Sequence, residues 1–269
     1  MKKLILAALA AATFALPFTQ STPAEAGSAQ AEATRLPIAE VTTFARSVEE
    51  DLAKRGAHVA IVARVGRDPA DLPSGINFTH VGFWVLSDIR QPDGTTTRGY
   101  RVWNLYQRAG DPGISDLVQD GPADFFAGAQ RLRAGVIVPR PELQARLLRI
   151  LTSETYSDLH NPQYSVLANP DNNRYQNCTE HMLNVLMAAL YDTDDMGRIK
   201  SNTAAHFEAQ PVRLSPMKRA LGPVFVSGVE TDDHGGAALK TTTFTSIARF
   251  MDRYDLQDRT YTLRHVTNG

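Results

Sequence analysis

The chain has one cysteine and seven histidines with which to do nucleophilic or acid–base chemistry. Cys178 sits in "NRYQNCTEHMLNVLMAAL" (173–190), where Asn177 suits a helix N-cap and Glu180, three places on, can bond back as in a capping box. Cys178 is then the first helical residue, where unpaired N–H groups and the helix dipole favour a thiolate. Met182, Val185, Leu186 and Ala189 share its face, so the sulfur points into the body of the domain. The same position also suits an inert cysteine, because free cysteine often packs as a small hydrophobe.

A cysteine nucleophile needs a base, and the candidates are His58, His80, His160, His181, His206, His234 and His265. His80 opens the apolar run "HVGFWV" after the turn-rich approach "DLPSGINFT". An imidazole at the head of a buried strand is either satisfied locally or faces a cleft. His181 reads as a capping or surface residue; a Cys-x-x-His half-site lacks the further ligands a structural zinc needs, so no metal is expected. His234, in "TDDHGG", reads as part of a solvated turn.

The elements that must position these groups follow from periodicity. Apolar residues at Ile38, Val41, Phe44, Ala45, Val48 and Leu52 predict a helix over 36–54, stopped by Gly56. "AHVAIVARV" (57–65), "NFTHVGFWVLS" (77–87) and "GYRVWNLYQ" (99–107) predict three strands, the last two joined by the turn "RQPDGTTTR". "GVIVP" (135–139) predicts a fourth, and "PELQARLLRILTSE" (141–154) a helix with proline in its first turn. Residues 157–175 are rich in turn formers and predict a loop, "GPVFVSGVETDDHGG" divides into strand-like and turn-like halves, and "TTTFTSIARFMDRYD" (241–255) predicts a last helix.

Residues 1–26 combine Lys2 and Lys3, an apolar stretch and "AEA", the pattern of a secretory signal cleaved after Ala26. Cleavage removes two lysines and one glutamate, leaving 243 residues with a formal charge of −2. That charge, with no basic cluster, gives no sign of a nucleic-acid partner. No later segment approaches the roughly 20 apolar residues of a membrane span. Residues 27–35 read as a flexible leader and 36–269 as a single α+β domain in the periplasm or outside the cell. A lone cysteine excludes an internal disulfide scaffold, and no cofactor is expected.

Taken together, the histidine of "FTHVGFWV", a following strand with a polar residue, and a cysteine opening a long helix in "RYQNCTEHMLNVL" resemble the circularly permuted papain-like hydrolases. These include the NlpC-type cell-wall peptidases and lecithin:retinol acyltransferase-like proteins. The whole chain also resembles an uncharacterised family of secreted proteobacterial proteins. The first resemblance covers roughly 57–190 and implies a papain-like α+β fold of permuted order, its antiparallel sheet packed on the cysteine-bearing helix. It further implies Cys178 as nucleophile, His80 as general base, Asn104 as the residue that orients the imidazole, and the Cys178 N–H with Tyr175 or Gln176 as oxyanion donors. The implied reaction is hydrolysis or acyl transfer at an amide or ester, with peptidoglycan peptides and lipids within reach. The long hairpin, bulky Trp103 and Tyr106, and the region after Tyr191 depart from the pattern. The alternative is a non-catalytic envelope binding protein on the same scaffold, with Trp84, Trp103 and Tyr106 lining its cleft.

Overall fold

Val59–Val65 (β1) is buried at every position, which a strand can be only when both faces of its sheet are covered. The computed structural model describes residues 29–31, 34–213 and 228–265, and in it β1 is central to a six-stranded antiparallel sheet. The order is β4-β3-β2-β1-β5-β8, with β2 at His80–Arg90, β3 at Thr96–Arg108, β4 at Asp111–Asp120, β5 at Arg131–Pro139 and β8 at Gln257–Arg264. The fold is therefore α+β, and the predicted signal segment lies outside the described residues.

One face of the sheet is covered by α1 (Ile38–Lys54) and α2 (Pro122–Ala127). The five buried residues of α1, Val41, Phe44, Ala45, Val48 and Leu52, are those the helical spacing predicts. They meet Trp84, Tyr100, Phe125 and Phe126, whose rings pack largely edge-to-face. The other face is covered by α3 (Pro141–Leu151), α5 (Cys178–Tyr191) and α7 (Phe244–Arg253), with α4 (Thr155–Asp158) at the end of α3 and α6 (Met196–His206) against α5. Its core is mainly aliphatic, with Ile61, Phe83, Val85, Leu147, Leu186 and Ile247 among its members. A short ribbon of β6 (Gln210–Pro211) and β7 (Lys240–Thr241) flanks a third, smaller cluster.

Of "GPVFVSGVETDDHGG", residues 222–227 lie outside the described residues, and the turn-like half forms turns and a short 3-10 helix, Asp232–His234, as expected. Two other expectations change in detail. The capping box is half formed: Asn177 Oδ1 accepts the Glu180 N–H at 2.9 Å, but the Glu180 carboxylate pairs with Lys200 at 2.5 Å. Of the leader, Ala29 makes a parallel bridge to Gln107.

Candidate active site

β2 begins at His80, where Thr79 donates its N–H to the Arg64 carbonyl and its hydroxyl accepts the Gly66 N–H. His80 is paired with Arg64 across β1, fully buried, stacked on Tyr106 at 4.6 Å and tilted against Phe125 at 5.5 Å. Its Nε2 lies 3.1 Å from Asn104 Oδ1. Asn104 faces Gly82 across the β2–β3 register, and a Cβ on Gly82 would sit 2.7 Å from that oxygen. The glycine of "HVGFWV" thus leaves the space through which the amide reaches the imidazole.

Asp120, at the end of β4, accepts from Asn104 Nδ2 at 2.7 Å and from the Tyr106 hydroxyl at 2.9 Å. A carboxylate can receive only the NH₂ side of the amide, so Oδ1 is turned to the imidazole. An oxygen there requires the proton on Nε2, which leaves Nδ1 as the basic nitrogen. Nδ1 is buried and has no hydrogen-bond partner among the described residues. Asp120 was not among the sequence-predicted site residues; its one signal is an acid closing a strand before the Gly-Pro turn at 121–122. Burial raises its pKa to about 6, against the lowering effect of the Tyr106 hydroxyl.

Cys178 opens α5 as predicted, 6% exposed, with its thiol toward the backbone N–H groups of Val81 and Thr179. The Val81 N–H belongs to the peptide unit that joins it to His80, so the thiol and the imidazole flank one peptide bond. No hydrogen bond links them. The alternation of the strand explains the gap: Val81 belongs to the core beneath α5, while the His80 ring packs with Phe125 of the α2 side.

The predicted thiolate is corrected. Burial pushes the Cys178 thiol up to about 11, outweighing the surrounding N–H groups and the Arg64 charge. A helix terminus stabilises an anion by about 0.3–1 kcal/mol, whereas full burial moves a pKa by up to several units. Burial, then the Arg64 charge, holds His80 well below its ordinary value in spite of the Asn104 bond. At neutral pH both groups are uncharged.

The oxyanion candidates divide. The Cys178 N–H lies at the sulfur with those of Val81 and Thr179. Gln176 is committed elsewhere: its side chain accepts the Asn161 N–H and donates to the Leu159 carbonyl, and its own N–H goes to Gln163. Tyr175 is half-buried beneath the Arg174 guanidinium. Two histidine readings are corrected. His181 is buried edge-on to Tyr156 at 4.9 Å, where desolvation lowers its pKa to about 3. His234 is buried within reach of the Leu167 carbonyl at 2.9 Å. Trp84 and Tyr106 are core, whereas Trp103 is partly buried. Among the described residues no group of three or more His, Cys, Asp or Glu is placed to hold a metal, and no helix is long and apolar enough to cross a membrane.

A family described as "uncharacterized protein conserved in bacteria (DUF2145)" matches residues 51–251, and the chain belongs to it. No curated protein and no solved structure matches.

Proposed function

We propose that this member of a bacterial family is a periplasmic cysteine hydrolase or acyltransferase on a permuted papain-like scaffold, acting on an amide or ester of a cell-wall peptide or lipid. One arrangement carries the assignment: Asn104, held by Asp120, fixes His80 with an unpartnered Nδ1 on the residue whose peptide unit meets the Cys178 thiol. In the reaction, Nδ1 takes the thiol proton as sulfur attacks the carbonyl carbon, and the N–H groups at the start of α5 receive the oxyanion. Collapse breaks the bond to the leaving amine or alcohol, which takes the proton from His80. Water or a second nucleophile then releases the acyl group. Both pKa displacements come mainly from burial, so admitting substrate and water moves the thiol down and the imidazole up, toward a transferable proton.

The test is turnover. Mature protein should hydrolyse ester or peptide-amide substrates from an envelope-derived panel, Cys178→Ala should abolish it, and absence of turnover with any of them would reject the assignment. The second reading, a non-catalytic binding protein, is favoured by the thiol at about 11 and the absent thiol–imidazole bond. It predicts that alkylation of Cys178 follows one ionisation near 11 and is indifferent to His80→Ala.

A further inference from the structure

The pairing of β2 with β3 begins at Gly82↔Asn104, yet β3 runs on beside β4 as far as Arg108. On the side of β3 that β2 leaves, Ala29 bridges Gln107 in parallel. Arg64 Nη2 donates to the Ala29 carbonyl at 2.8 Å and Nη1 donates to the Phe125 carbonyl. This guanidinium is fully buried, forms no ion pair among the described residues, and has an Nε without a partner. The guanidinium also lies over the Tyr106 and Phe125 rings, but a buried cation whose hydrogen bonds go to carbonyls is costly unless those carbonyls are supplied in fixed positions. Arg64 stands beside His80 in the β1–β2 register and its charge reaches the Cys178 thiol. Next to Ala29, an open groove of about 240 Å³ is lined by Gln30, Ala31, Tyr106, Gln107, Arg108 and Asp116. Tyr106 is also the ring on which His80 stacks.

We propose that Ala29–Ala31 occupies the subsite for an extended peptide with small side chains, whose main chain adds to β3 at Gln107 and whose carbonyl is held by Arg64. Adding an extended segment to a vacant strand side supplies main-chain hydrogen bonds, while the adjoining groove selects side chains. The inference rests on the hydrolase assignment above and selects peptide over lipid as its substrate class. It also makes the mature N-terminal segment a competitor of substrate, because a short tether holds it at an effective concentration in the millimolar range.

The test uses the full mature chain carrying Cys178→Ser, so that binding is measured apart from turnover. The probe is the tetrapeptide acetyl-Ser-Ala-Gln-Ala-amide, with an acyl-lipid micelle as the other arm. Adding Ala29→Pro removes the N–H and restricts the backbone at the bridge, and should strengthen tetrapeptide binding at least tenfold by calorimetry. Adding Arg64→Lys should weaken it about tenfold. Equal binding with and without Ala29→Pro, or binding of the micelle in place of the peptide, overturns the proposal. If Ala29→Pro does not fold, tens of millimolar tetrapeptide on the Cys178→Ser chain must raise hydrogen exchange at the amides of Ala29–Ala31 while β3 stays protected at Gln107, and unchanged exchange at Ala29–Ala31 overturns it. Peptide binding without turnover of any substrate by the Cys178 chain would reject the hydrolase assignment and leave the subsite standing. Turnover without peptide binding would do the reverse.

Discussion

The middle of β2 and its first three residues are built from the same strand to opposite ends. At Phe83–Val85 the ladder is complete on both sides, with Trp84 filling one core and Phe83 and Val85 the other. At Gly82 the pairing with β3 reaches its end and the glycine leaves room for an amide, and at Val81, beyond that pairing, the backbone N–H turns to a sulfur. Continuous pairing makes the sheet a wall between its two faces. Only where pairing ends can a thiol on the α5 side approach an imidazole that packs toward α2.

Substitutions should therefore separate the two stretches. His80→Ala is expected to lower turnover by about 10²- to 10⁴-fold, the usual share of a general base, and kinetics on the folded variant checks this. Trp84→Ala should instead cost about 3–5 kcal/mol of stability by denaturant unfolding, because its ring is fully buried between Tyr100, Phe125 and Phe126. Equal loss of stability in both variants would erase the distinction. Next in size is an acid effect. His80 and His181 have folded pKa values below the ordinary 6.5, that of His181 at about 3. Their stabilisation is complete above 6.5 and falls as pH drops toward 3, by several kcal/mol for a fully buried group. His181→Leu should flatten that decline in unfolding experiments between pH 6.5 and 3.

Gly82→Ala comes next, with about 1–3 kcal/mol of overpacking, since its Cβ would meet Asn104 and Val102 within 2.8 Å. It should reduce turnover more than stability by displacing the amide from His80. The smallest effect is expected of Asp120→Asn, about tenfold in turnover, the worth of one hydrogen bond to a charged group. Asp120 ionises at about 6, so turnover should fall as pH drops through 6, and the pH profile of Asp120→Asn should lack that limb.

The sequence made the central strands legible because burial on both faces selects continuous apolar runs such as "VAIVARV". The edge strands were not, since "DPGISDLVQD" carries Pro112 and Gly113, and "QDRTYTLR" is polar along its exposed length. Cys178 and His80 could be singled out as candidates from residue type and position, and Asn104 through the family resemblance, but not the sense of the thiol's pKa shift, because how deeply the helix start is buried is a tertiary property. Asp120 escaped for a similar reason: its partners Asn104 and Tyr106 lie on the neighbouring strand, brought to it by register. The Ala29 bridge could not be seen at all, as a small polar leader has no periodicity to report its seat on β3.

The most direct measurement is intact mass of the mature protein, quenched in acid within seconds of mixing with an activated ester of a small-residue peptide. An acyl adduct on Cys178 is expected to form and decay in the unaltered chain and to form at least a hundredfold more slowly in His80→Ala. An adduct forming at equal rates in both chains, or none on Cys178, would contradict it.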